Sequence, residues 1–275
     1  ILIIPANTLA VEYATNSQGI FAFGLPTVGS YTSTSNTISN TGVASSDVGA
    51  VETGRGDVAA TEYGGDKGIF AFGSEQPYSM KNLVSSSGIV ASDTSTVGTA
   101  RQGTRGVHYG DDIDLALLAF GHDGSNYVNM SSKVSNTGVV SADITGVGTA
   151  RGAEACEYGG DKGIYGFGSD PSGKNSMSNL VSNSGVVATD TTGVGTARSS
   201  LTACSYGGDK GIFGFGMTGA GENYVGMTNL VSNSGVVASD VSAVGTARAY
   251  LGSCEFGNGK GIIGYGHIES GGVRT

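Results

Sequence analysis

The chain has 275 residues, of which 49 are Gly, 4 are Pro and none is Trp, with 13% charged residues and a formal net charge of −9. So much glycine without a G-X-Y period excludes collagen, and the even spread of Val, Ala, Ile and aromatic residues excludes long disorder. Lys and Arg are scattered singly, which argues against nucleic acid and anionic membranes as partners. No apolar run approaches the roughly 18 residues of a membrane span, so a soluble chain with no membrane insertion is expected.

The first four residues, Ile1-Leu2-Ile3-Ile4, have no basic region before them and are too short for a signal peptide. A chain that starts at Ile1 is expected to be processed or cut from something longer.

Self-similarity sets the architecture. The block Tyr-Gly-Gly-Asp-Lys-Gly-Ile, followed by aromatic residues and Gly, occupies 63–73, 158–168 and 206–216, with looser copies at 13–24, 109–121 and 256–266. Its central glycine, or the substitute, falls at 19, 68, 116, 163, 211 and 261, giving six copies spaced by 47 to 50 residues. A second block, Leu-Val-Ser-Asn-Ser-Gly-Val-Val-Ala-Ser-Asp leading into Val-Gly-Thr-Ala-Arg, has five versions, at 38–55, 83–101, 133–151, 180–198 and 230–248.

Short β-branched or aromatic runs split by Gly, Asn, Asp and Ser are strand-and-turn signals, and glycine at this density opposes helix. In the fifth repeat the runs predict strands at 201–206, 211–215, 228–232 and 236–240, with turns at 207–209 and 233–235. About four antiparallel strands in each of six repeats is the arithmetic of an all-β, six-bladed β-propeller spanning 1–275 as one domain. Alternation puts Phe213 and Phe215 on one face, where aromatics would fill the wedge between blades. The small residue between them (Ala22, Ala71, Ala119, Gly166, Gly214, Gly264) points to crowding. The first strand is expected at 8–13, and the last blade is either short of strands or completed by residues 2–4. A slice from a longer repeat array is the alternative.

Arg, a small apolar strand, Tyr-Gly-Gly-Asp-Lys and an aromatic strand ending in Gly together resemble the kelch repeat over nearly the whole chain. The kelch Trp is absent and the double glycine is reduced to one. The block wording is also similar to repeats in predicted structural and tail-associated proteins of marine bacteriophages. That likeness implies a virion or extracellular location and a structural or attachment role.

Several columns carry chemistry. Cys156, Cys204 and Cys254 share a strand position that Val11, Thr61 and Val107 take elsewhere, which reads as packed free thiols, since adjacent blades hold such atoms too far apart for a disulfide. Asp47, Asp93, Asp143, Asp190 and Asp240, with Arg55, Arg101, Arg151, Arg198 and Arg248, read as turn residues or ion pairs. Five copies are more than one active site needs, although equivalent weak binding sites remain compatible. Asp66, Asp161 and Asp209 and the lysines that follow them read as solvated turn residues. Asp111, Asp112 and Asp114 form a weak calcium candidate without EF-hand spacing; otherwise no metal and no cofactor is expected. His108 reads as a core or interblade residue, and His122 and His267 share one column.

The loops after each aromatic strand vary most and carry Tyr31, Tyr78, Tyr127 and Tyr224. Exposed Tyr among small polar residues is typical of recognition loops, and with Asp123 and Asn126 these residues make the candidate ligand face for a glycan or protein surface. No nucleophile, acid–base pair or phosphate loop stands out. The expected function is therefore a non-enzymatic binding or structural propeller on a phage virion or tail, contacting a host glycan or another virion protein. A lectin-like propeller of non-viral origin, a polysaccharide-acting enzyme and an intracellular adaptor stay open.

Overall fold

A computed structural model describes residues 18–27, 30–49, 53–74, 78–110, 114–219, 223–242, 245–257 and 259–268. The expected strands at 8–13 and 2–4, Val11, Asp111, Asp112 and residues 269–275 lie outside the described residues. Among the described residues every regular element is a strand, so the chain is all-β.

The first repeat contributes β1 (Gly19–Thr27) and β2 (Ser30–Ile38). The second contributes β3 (Ala59–Tyr63), β4 (Lys67–Ala71), β5 (Met80–Val84) and β6 (Thr94–Ser95). The third has β7 (Arg105–Tyr109), β8 (Leu115–Ala119) and β9 (Ser131–Val134). The fourth has β10 (Gly152–Tyr158), β11 (Lys162–Asp170), β12 (Gly173–Lys174) and β13 (Ser178–Val181). The fifth has β14 (Thr202–Tyr206), β15 (Lys210–Gly214), β16 (Met217–Thr218), β17 (Asn223–Tyr224) and β18 (Thr228–Val231). The sixth has β19 (Gly252–Phe256) and β20 (Lys260–Gly264).

Within repeats two to five the first two long strands form a tight antiparallel hairpin, and the third lies on the other edge of the second, as in the order β14-β15-β18. The β14–β15 turn runs through Gly207 and Gly208, both at positive φ (66° and 77°), a backbone that glycine adopts without steric cost.

The expected fourth strand is mostly absent. In the fifth repeat the expected strand 236–240 makes one isolated bridge, Val231 to Val237, and the next residue makes another, Thr228 to Val241. The Asn229 side chain explains the interruption: its Nδ2 donates to the Ala238 carbonyl at 2.9 Å and to Asp240 Oδ1 at 3.0 Å. Side-chain bonds thus stand in for a regular ladder. Among the described residues, β6 in the second repeat is the one strand at this position, and it is two residues long.

The aromatic strand also stops short of its last aromatic in β4, β8, β15 and β20, whereas β1 and β11 run past it through a register shift. Phe23, Phe72, Phe120, Phe167, Phe215 and Tyr265 all have φ between 57° and 66°. This left-handed backbone costs a non-glycine residue about 1–2 kcal/mol. Each is followed by a glycine at φ between 96° and 125°. Phe215 therefore does not simply continue the face of Phe213; the positive φ breaks the pleat there, and the pairing resumes beyond it at Ser199 and Met217. Crowding at the preceding small residue is real at Gly166, where a Cβ would sit 2.8 Å from the Phe213 ring, whereas Gly264 faces open space.

The arginine column holds this positive-φ aromatic in place. Arg151 is fully buried. Its Nε donates to the Phe167 carbonyl at 3.0 Å, one terminal nitrogen donates to the Thr149 carbonyl at 3.2 Å, and the other donates to Asn179 Oδ1 at 2.7 Å. Asp190 lies 3.7 Å away, and the guanidinium sits 4.7 Å from the centroid of the Phe120 ring of the preceding repeat. Arg55 and Arg198 repeat the pattern on Phe23 and Phe167. The arginine carbonyl accepts from the glycine after the preceding aromatic, as Gly121 N donates to Arg151 O at 3.1 Å and Gly168 N to Arg198 O at 2.9 Å. Each arginine thereby joins two successive repeats. Burial pulls Arg151 and Arg198 down to about 10, against the pull of Asp190 and Asp240, so both stay charged at neutral pH.

The aspartates complete the joint. Burial pushes the Asp190 carboxyl up, but hydrogen bonds from Asn179 and Thr149 and the charge of Arg151 hold it below the usual carboxylate range. Asp190 Oδ2 accepts from Thr149 N at 2.9 Å and from Thr149 Oγ1 at 2.7 Å. The third repeat uses substitutes: Ser132 takes the Asn position and donates to Asp143, and the Thr104 hydroxyl bonds the Phe120 carbonyl at 3.1 Å.

The apolar core lies between repeats. One buried cluster joins Ala59, Tyr63, Ile69 and Phe72 to Ala116 and Leu118; two more link the third repeat to the fourth and the fourth to the fifth. First strands pack in chain order, β3 on β7, β7 on β10, β10 on β14 and β14 on β19, and β19 packs on β1. Aromatic rings pair across successive repeats, Phe23 with Phe70, Phe120 with Tyr165 and Phe167 with Phe213, at 5.0 to 5.3 Å. Tyr265 pairs with Phe21 at 5.4 Å in the same manner.

Replacing Arg151 by Ala removes a buried charge from Asp190 and orphans the Phe167 carbonyl. Denaturant unfolding is expected to register a loss of about 3–5 kcal/mol, and Lys at this position does not restore it, because the planar fork is lost. Asp66→Ala, which breaks an exposed turn pair, changes stability by less than about 0.5 kcal/mol.

Candidate functional site

Alternate residues of five first strands face one cavity of about 170 Å³. The strand period of two brings Ala60, Gly106, Ala155, Ala203 and Ser253 to its wall in one layer, and Glu62, His108, Glu157, Ser205 and Glu255 in the next. The residues between them pack on neighbouring repeats, although Thr61, Cys204 and Cys254 also reach the cavity edge. Cys156 Sγ covers Gly211, Cys204 Sγ covers Gly261 and Cys254 Sγ covers Gly19, so close that a Cβ on those glycines would lie 2.5 to 2.7 Å from sulfur.

In the polar layer the groups are in contact across repeats. Glu157 Oε1 accepts from the His108 backbone N at 3.1 Å and lies 3.4 Å from His108 Nδ1. Ser205 Oγ donates to Glu157 Oε2 in a short hydrogen bond. Burial raises the Glu62 carboxyl, with His108 pulling it down and Glu157 pushing it up. Burial, then Glu157 and Glu62, push Glu255 up to about 7. These are like charges gathered in one concave place, and such clusters are where functional groups concentrate.

The sequence reading missed this layer. Its signal was the residue before the hairpin aromatic, which is Glu12, Glu62, His108, Glu157, Ser205 and Glu255 along the six repeats; Glu12 lies outside the described residues. His108 was expected in the core or between blades, and instead faces the cavity, because its neighbours in β7, Val107 and Tyr109, take the buried positions.

The tyrosines expected as exposed anchors are half-buried. A Cβ on Gly56 would lie 3.0 Å from the Tyr31 ring. Tyr78 bridges the Arg101 backbone, the Tyr127 ring meets His122 edge-on at 5.2 Å, and the Tyr224 hydroxyl bonds His267 Nδ1 at 2.8 Å. Large aromatic surfaces find neighbours where they can. Asn126 remains exposed, and Asp123 turns the loop by accepting from Ser125 N and Asn126 N, bonds that hold its carboxyl below the usual range. Asp114 is described, and its carbonyl accepts from Gly64 N at 3.0 Å. Among the described residues no three His, Cys, Asp or Glu side chains come together as a metal site.

A second repeated surface was also missed. Val43, Ile89, Val139, Val186 and Val236, one in each of five repeats, are 59 to 68% exposed at the turn after the third strand. Each precedes a residue that bridges back to that strand, so alternation forces it outward.

Comparison of the sequence with models of known protein families, and with curated proteins, gave no match.

All three cysteines are free. Burial pushes Cys156 well above its usual thiol value, and Cys204 and Cys254 up to about 12. In the native protein at pH 8, Cys156 and Cys204 are expected to resist iodoacetamide for hours and to react within minutes in denaturant; rapid native labelling of either contradicts this packing.

Proposed function

We propose that the chain closes into a six-bladed β-propeller that serves as a non-enzymatic binding or structural module of a phage virion or tail. Closure is supported by the match between the β19–β1 junction and the junctions between successive repeats. Cys254 covers Gly19 as Cys156 covers Gly211, and Tyr265 pairs with Phe21 as Phe167 pairs with Phe213. In this reading the cavity lies on the ring axis.

The observation that carries the binding role is the common position of the variable loops. Each follows the same positive-φ aromatic–glycine pair, at Phe72-Gly73, Phe120-Gly121, Phe167-Gly168 and Phe215-Gly216, so the loops leave at equivalent ends of the aromatic strands. Half-buried tyrosines stiffen them while Asn126 and its neighbours stay open, a combination suited to a glycan or protein surface. The exposed Val/Ile column supports a contact with another virion protein, since repeated apolar exposure marks assembly surfaces.

Binding to an array of bacterial surface polysaccharides tests the attachment role. The reading expects a glycan signal that Asn126→Ala with Tyr127→Ala weakens at least tenfold while leaving the melting temperature within a few degrees. A signal untouched by those changes and lost on altering Val139 and Val186 moves the contact to the other surface. No glycan signal, together with a monomer at millimolar concentration, contradicts both roles. Occupancy of equivalent loops in several blades favours the lectin-like alternative.

A further inference from the structure

We propose that the carboxylates gathered at the cavity form a proton-linked latch: a proton held on Glu255, where it faces Glu62 and Glu157, keeps β19 docked on β1, and its loss loosens that junction first. The inference stands on the contacts between β19 and β1, independently of any loop ligand.

Three carboxylates from β3, β10 and β19 face one small space. The groups opposing them are few. β7 supplies His108, already beside Glu157. β14 supplies the neutral Ser205, committed to Glu157, and the buried thiol of Cys204. Lys67 of β4 reaches the cavity wall but is paired with Asp66 at 2.6 Å. Lys210, near Glu255 at the β14–β15 hairpin, is paired with Asp209 at 2.9 Å. Lys260 of β20 stands over the Phe256 ring instead. Glu255 thus meets Glu157 and Glu62 with one imidazole among them and no unpaired cation among the described residues.

The junction beside Glu255 differs from the others. Successive repeats are tied by the chain itself and by the Arg joints, down to Arg248, which joins repeat five to repeat six through Phe215, the Gly216 amide and the Tyr265 carbonyl; among the described residues no arginine ties β19 to β1 in this way. β19 meets β1 through Cys254 on Gly19 and through Phe21 against Gly252 and Tyr265. Repulsion placed on Glu255 acts on these contacts directly.

The sign follows from linkage. Glu255 sits at about 7 in the folded protein, against an ordinary value of 4.5. Stability from its protonated form is fully present below the unfolded value and is lost as pH rises through about 7. In the window between the two values the unfolding constant changes by up to about tenfold per pH unit for each such proton.

The test is thermal unfolding and backbone hydrogen exchange of the whole chain from pH 5 to 8.5, corrected for intrinsic exchange rates. The expected wild-type result is a melting temperature that falls on going to pH 8.5, with exchange in residues 252–264 rising at least fivefold while residues 152–166 stay protected. Glu255→Gln flattens both trends, and Glu62→Gln, which removes a charge that helps push Glu255 up, weakens them and shifts them to lower pH. Identical pH slopes for wild type and Glu255→Gln overturn the proposal, as does exchange that rises equally in both segments.

Discussion

The fold depends on a cation laid on an aromatic ring. Arg55, Arg101, Arg151 and Arg198 are each fully buried, and each stacks on the positive-φ aromatic of the preceding repeat. Such a charge is costly to bury unless every donor is used. Arg55, Arg151 and Arg198 spend Nε on the Phe72, Phe167 and Phe215 carbonyls, whereas Arg101 leaves Nε buried without a partner, and in each case the aspartate lies outside as counter-charge. The same carbonyl that Nε of Arg151 holds belongs to a Phe in the left-handed region. The joint therefore stabilises the strained residue and aligns the loop that leaves from it.

That joint explains two features that look unrelated. Glycine follows each aromatic because the chain there continues at positive φ, between 96° and 125°, and glycine also stands where a cysteine or valine of the neighbouring first strand presses, as Val107 does on Gly163. Close approach of first strands is what brings their inward-facing side chains to one cavity. Acidic residues there act on one another because the backbone spacing is fixed from outside, by the buried arginine network.

Strand content and the repeat were readable because hydrophobic alternation, turn glycines and a period of about 48 residues are local signals. The arginine and aspartate columns were also visible, at 55, 101, 151, 198 and 248 and at 93, 143, 190 and 240, but their meeting with Phe was not, since the partners lie in different repeats. The fourth strand was overcalled because Asn229 binds the Ala238 carbonyl and Asp240 in place of a ladder, which residue type alone does not reveal. Phe215 was misread as continuing an alternating strand because a phenylalanine at positive φ carries no sequence mark of its own. The cavity layer escaped for the opposite reason: Glu62, His108, Glu157, Ser205 and Glu255 differ in type, and only a shared register makes them one group. The tyrosines of the variable loops were found, but their half-buried state depends on neighbours such as His122 and His267.

The proposed ring rests on the junction between the two ends of the chain, and a single engineered bond tests it. A Cβ on Gly19 would lie 3.5 Å from Cys254 Cβ, within the separation that a disulfide needs. Gly19→Cys, oxidised at low protein concentration, is predicted to lose two free thiols within one molecule, to give a peptide linking positions 19 and 254, and to melt at a higher temperature than its reduced form. An introduced thiol that stays free in the folded protein, or that pairs only between molecules, contradicts closure between β19 and β1.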